Sequence, residues 1–143
     1  DTALFSSTYF YTRLQEEILR SERYRHFFSL ILVHLESKEA HSAQQQANEL
    51  KRIGAELMLG LSRRTDTISL YRKRQMVIML PETDPRGVQI LLQRCQAMFP
   101  NNGRRLVCAA LTYPNDASNI ELVLNRLQEI SENLFRGTDR ARN

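Results

Sequence analysis

Residues Phe27–Leu35, FFSLILVHL, form a nearly continuous apolar run of strand length with β-branched residues in it. Such a run cannot keep a polar face toward water, so it reads as a buried central strand, and a chain built around one must cover its sheet with helices. Thr67–Tyr71 and Gln75–Leu80 read as two further strands separated only by Arg72-Lys73-Arg74, which makes them a hairpin. Its turn holds no Gly, Asn or Asp, although tight hairpins favour residues that accept positive φ. Leu106–Thr112 is a fourth apolar strand segment.

Between the strands the hydrophobic period changes to that of helices. From Ser7 to about Arg25, Phe10, Leu14 and Ile18 make an inner stripe under a charged face with Arg13, Glu17 and Arg20. Over Ala43–Leu61 the stripe is Ala47, Leu50, Gly54, Leu57, Met58 and Leu61, with Lys51, Arg52 and Glu56 outside it. Asp84-Pro85 starts a helix whose inner residues are Val88, Leu91, Leu92, Cys95 and Phe99. Ser118 or Asn119 caps a last helix with Ile120, Leu124, Leu127 and Ile130 or Leu134 inward. The order α-β-α-β-β-α-β-α predicts an α/β sandwich with a mixed sheet covered by helices.

Composition narrows the class. The chain has 143 residues, 25% of them charged, as in a folded soluble domain. The expected organisation is one domain over residues 1–136 and a polar tail or linker over 137–143, the whole being a piece of a longer protein. Apolar stretches such as Leu30–Val33 and Met76–Leu80 are far too short to span a bilayer, and no signal peptide is seen. Cys95 and Cys108 lie in apolar runs without C-x-x-C spacing, so neither a zinc site nor a disulfide framework is indicated. The expected location is the cytoplasm, free or as the cytosolic part of a membrane-associated protein. The net charge of +4 gathers at Arg63-Arg64, Arg72-Lys73-Arg74 and Arg104-Arg105, which favours an anionic partner.

A family resemblance spans nearly the whole chain. Thr2-Ala3-Leu4-Phe5-Ser6-Ser7-Thr8-Tyr9-Phe10 is similar to T-G-L-x-N-R-R-x-F, with only the apolar frame kept. Ser29–Glu36 stands where a first core strand ends in D-x-D, and His34 takes the place of the first Asp. Arg63–Pro81 follows R-x-x-D-x5-G-G-D-E-F-x-x-x-L-P, with Arg72, Lys73, Arg74, Gln75 and Met76 in place of G-G-D-E-F. The pattern resembles a degenerate GGDEF domain, the diguanylate cyclase-like family, which implies a nucleotidyl cyclase-like sandwich.

The replacements also carry their own chemistry. A backbone that cradles phosphates needs glycines for close approach, and Arg72 and Lys73 put long side chains there. Magnesium needs hard carboxylate oxygens, but the matching positions hold His34 and Arg74. The stretch after Glu36 is shorter than the family's and has Ala40-His41-Ser42-Ala43 in place of its guanine-reading Asn and Asp. The resemblance therefore implies no cyclase activity, no magnesium and no other cofactor.

The family's inhibitory R-x-x-D pocket, by contrast, has its counterpart in Arg63 and Asp66. Arg94 falls on the position of the second arginine, with Arg64 as a weaker contributor. Guanidinium groups take guanine edges and phosphates through paired hydrogen bonds, and a carboxylate accepts from guanine N–H groups. Taken alone, R-x-x-D reads as a solvated ion pair; its register ahead of the turn points to cyclic di-GMP. The expected function is a cyclic di-GMP receptor acting on a protein partner or an adjacent domain, such as exopolysaccharide or biofilm machinery.

The alternative is a ligand-independent interaction or dimerisation module on the same scaffold. A basic nucleic-acid binder using Arg63, Arg64, Arg72 and Lys73 would need aromatic interleaving, and only Tyr71 supplies it, so neither nucleic acid nor membrane contact is expected. His34 reads as a hydrogen-bonded structural residue rather than a metal ligand, the Arg72–Arg74 turn as solvated charge, and the methionines as core filler. Glu82 and Asp84 beside prolines read as turn and helix-start chemistry.

Overall fold

In the computed structural model, the structure describes residues 4–37, 42–61, 65–98 and 104–142. The elements are β1 (Leu4–Phe5), α1 (Ser7–Tyr24), β2 (Phe28–Ser37), α2 (Ala43–Leu61), β3 (Thr67–Leu70), β4 (Gln75–Pro81), α3 (Pro85–Ala97), β5 (Arg104–Tyr113) and α4 (Ile120–Arg142). They form one five-stranded sheet in the order β1-β3-β4-β2-β5, parallel only between β1 and β3. This is the mixed α/β sandwich expected from the apolar pattern.

The FFSLILVHL run is the middle of the molecule. β2 pairs with β4 from Phe28↔Pro81 to His34↔Gln75 and with β5 from Phe28↔Tyr113 to Ser37↔Arg104. Its alternate side chains feed two cores. Ile31, Val33 and Leu35 pack with Leu50, Ile53 and Leu57 of α2 and Val88 and Cys95 of α3. Phe28, Leu30 and Leu32 pack with Phe10, Leu14 and Ile18 of α1 and Val123 and Leu127 of α4. Each such fully buried aliphatic or aromatic side chain is worth roughly 1.5–3 kcal/mol, so this one strand anchors both layers.

Local signals set the helix ends. Ser6 Oγ accepts from Tyr9 N at 3.1 Å to start α1, and Arg25 closes it in the left-handed region at φ 55°. Asp84 Oδ1 accepts from Gly87 N at 2.8 Å, with Pro85 in the first turn of α3. Of the two candidate caps of α4, Asn119 is the one used: its Oδ1 accepts from Leu122 N at 2.9 Å.

Several details differ from the sequence reading. β1 is a two-residue strand with no periodicity of its own; pairing of Leu4 with Ile68 and Phe5 with Ser69 creates it. Glu17 is fully buried rather than on the outer face of α1, because it lies three residues after Leu14 and seven after Phe10 on the inward stripe, where Arg13 meets it at 3.3 Å. In α2, Ile53 is buried and Ala47 exposed, so the stripe is rotated from the expected one. In α4 the deepest line is Val123, Leu127 and Ser131, and Ile120, Leu124, Ile130 and Leu134 pack along its sides. That helix continues to Arg142, through most of the segment expected to be a polar tail. Phe99 lies outside the described residues.

Candidate functional site

The register of the hairpin divides the sheet into two ends. At one end, β3 turns into β4 through Arg72–Arg74; at the other lie Asp66, Pro81, Phe28 and Tyr113. At the turn end, Tyr71 N donates to Gln75 O at 3.0 Å and Gln75 N donates to Arg72 O at 2.8 Å. A three-residue connection of this kind requires its last residue in the left-handed region, and Arg74 adopts φ 60°. The glycine-free turn thus keeps a backbone conformation that glycine would take without cost. Leu35 N donates to Arg74 O at 2.8 Å, tying the turn to the end of β2.

Beneath the turn the polar groups close on one another. His34 and Gln75 face each other across β2 and β4 and have no exposed surface. Gln75 Nε2 donates to His34 Nδ1 at 3.0 Å and to Ser131 O at 3.2 Å, and Ser131 Oγ donates to Gln75 Oε1 at 2.5 Å. The amide therefore uses both its donors and its acceptor, and a neutral His34 carries its proton on Nε2. Phe135 of α4 stacks edge-on against the His34 ring, with centroids 4.8 Å apart.

These residues do not fit a magnesium ion. His34 is enclosed and bonded to an amide, the adjacent turn offers a guanidinium, and the hard oxygen donors that magnesium demands are missing from both positions. Among the described residues, no group of three or more His, Cys, Asp or Glu side chains could hold a metal.

The opposite end holds Asp66, which directly precedes β3 and is 2% exposed. Arg94 is exposed on the last turns of α3. That helix begins at the same sheet end, beyond Pro81, and lies over β5 and β2. Arg63 and Arg64 lie outside the described residues. Nearby, Ser29 Oγ donates to Thr83 O at 2.8 Å and meets Thr112 Oγ1 at 2.7 Å, a buried hydroxyl cluster that pins the α3 start to β2 and β5. An open groove of about 510 Å³ lies here, with His26, Phe27, Glu82, Thr83 and Asp84 on its walls.

The architecture matches solved structures closely at low sequence identity. The FimX GGDEF domain from Pseudomonas aeruginosa is 15% identical with a TM-score of 0.75, over 95% of this chain and 91% of that one. A DGC protein from Thermotoga maritima is 16% identical at 0.72, over 87% and 93%. The fold is that of GGDEF domains. The GGDEF domain of DgcB from Caulobacter crescentus, in complex with c-di-GMP, is 12% identical at 0.72, over 95% and 85%. No protein-family model and no curated protein matches the sequence. The likeness is one of fold.

Two residues of the turn end escaped the sequence reading, Ser131 and Phe135. A signal existed for the first: Ser131 follows Leu127 by four residues on the inward face of α4, where a polar side chain needs a buried partner. The reading of His34 as hydrogen-bonded, of Glu82 and Asp84 as turn and cap, and of Met76 and Met79 as core agrees with the structure. Cys95 and Cys108 are buried free thiols, and burial pushes Cys95 up to about 11, well away from reactive thiolate behaviour. Among the described residues, no helix is long and apolar enough to cross a membrane.

Proposed function

We propose that this chain is a catalytically inactive GGDEF-type domain that serves as a cyclic di-GMP receptor, with Arg63, Asp66 and Arg94 as its ligand-reading residues and Arg64 as a lesser contact. One observation carries the first half: the His34–Gln75–Ser131 cluster, fully buried and internally bonded, stands where the family resemblance puts metal and phosphate chemistry. A site that must hold two charged phosphate chains and a divalent cation cannot work from an enclosed neutral amide and an arginine.

The second half draws support from the placement of Asp66 and the start of α3 at the sheet end remote from that cluster, and from the ligand held by the DgcB domain of the same fold. Ligand binding there alters a contact with a protein partner or an attached domain, and exopolysaccharide or biofilm machinery is the output in view. Neither magnesium nor another cofactor takes part.

Titration calorimetry with cyclic di-GMP tests the reading. The wild-type chain binds, and Arg63→Ala and Asp66→Ala each remove binding while circular dichroism stays unchanged. Absence of wild-type binding, or binding indifferent to both substitutions, rejects the receptor and leaves the ligand-independent interaction module. Product formed from GTP and magnesium rejects the inactive site.

A further inference from the structure

The turn that closes β3 onto β4 exposes Arg72 and Lys73, and Arg74 beside them is partly buried. Among the described residues, none of the three makes an ion pair. The Arg74 Nε atom is buried without a hydrogen-bond partner. Arg74 also holds φ 60°, where a side chain is strained and glycine is not. Three adjacent cations, one of them both strained and left with an unmet donor, form an arrangement that folding alone does not favour; strain and unmatched charge of this kind accumulate where a ligand compensates them.

Two tyrosines border the cations. Tyr11 on α1 is 43% exposed, and Tyr71 is partly buried directly before Arg72. Phe10, whose ring centroid is 5.5 Å from that of Tyr11 and which also meets Tyr71, links the two tyrosines, and burial raises the Tyr71 hydroxyl above its ordinary range. Arg72 lies over the Tyr71 ring at 5.9 Å, and Phe10 meets that ring edge-on at 6.2 Å. Tyrosine and arginine are the residues that protein interfaces concentrate at their energetic centres.

We propose that Tyr11, Tyr71, Arg72, Lys73 and Arg74 form a docking surface for an acidic segment of a partner protein. Carboxylates suit it because each guanidinium can take one through two parallel hydrogen bonds. Single-stranded nucleic acid suits it less: successive bases need successive open aromatic faces, and with Arg72 over the Tyr71 ring at 5.9 Å this surface offers one open ring, that of Tyr11. The surface lies at the opposite sheet end from Asp66, so the inference stands whether or not the chain binds cyclic di-GMP.

Fluorescence anisotropy of the whole chain decides it, with a labelled peptide of alternating Glu and Ala and a labelled oligothymidine of similar length as probes. The peptide binds more tightly than the oligonucleotide. Arg72→Glu with Lys73→Glu weakens the peptide by at least about tenfold, as expected for opposed charges at an interface. Arg74→Gly weakens it severalfold yet raises the melting temperature, because glycine relieves the turn. A merely structural arginine would raise the melting temperature and leave binding unchanged. That outcome, tighter binding of the oligonucleotide, or binding of neither probe overturns the proposal.

Discussion

At the turn end of the sheet, His34, Gln75 and Ser131 are fully buried and hydrogen-bonded to one another within the protein. At the other end, Asp66 keeps a buried carboxyl group, and the groove at this end of the sheet is bordered by Glu82, Asp84 and His26. Both ends are polar, but the buried side chains of the first are bonded to one another, whereas the second keeps a buried carboxyl group and has Glu82 and Asp84 on an open groove. An amide such as that of Gln75, whose donors and acceptor are all engaged with its own fold, has none left for a ligand, whereas ionisable groups that line a groove can meet one. Under the proposed function, the difference teaches that one scaffold can lose a site by filling it and keep a second, because the sheet holds the two at opposite ends of the same strands.

The largest effect that should sharpen this contrast is on stability. Gln75→Ala removes three hydrogen bonds at once and leaves His34 and Ser131 buried beside a cavity, so a loss of about 3 kcal/mol is expected in urea unfolding. A loss under about 1 kcal/mol would mean that water replaces the amide and that the end is open, not sealed. Next comes binding at the opposite end: Asp66→Ala should weaken cyclic di-GMP by about 30-fold or more, which calorimetry reads directly. Arg94→Ala should follow with about tenfold, as an exposed cation contributes less than a buried acceptor.

The smallest effect is a pH dependence at that same end. Burial foremost, then the hydrogen bond to Glu22 at 3.0 Å, push the Tyr113 hydroxyl up to about 12. The folded chain therefore keeps this proton while an unfolded one releases it near pH 10, so the contribution is whole below about pH 10 and is lost as pH climbs toward 12. Tyr113→Phe should be less stable than wild type at pH 8 by about 1 kcal/mol. The gap should close across that alkaline window in thermal melts; a gap that widens instead would contradict the sign.

Much of the fold was legible because its signals are local. The apolar run of β2, the hairpin around Arg72–Arg74 and the Asp84-Pro85 start of α3 each carry their evidence within a few residues. β1 does not: two residues have no period, and only pairing with β3 makes them a strand. Glu17 misled because charge suggested solvent while its spacing placed it inward. The sealed cluster was half visible. His34 in an apolar run demanded a partner, but Gln75 lies 41 residues away and Ser131 a further 56, and separations of that size leave no trace in sequence periodicity. The same limit applies to Phe10 of α1 against Tyr71, brought together only by the seating of α1 on the sheet.

Amide chemical-shift mapping of the isotope-labelled chain during a cyclic di-GMP titration puts the contrast between the two ends to its most direct test. The account predicts saturable shifts at Arg63–Thr67 and around Arg94, with His34, Gln75 and Ser131 unmoved. Shifts centred on His34, Gln75 and the Arg72–Arg74 turn, or none at any residue, would contradict it.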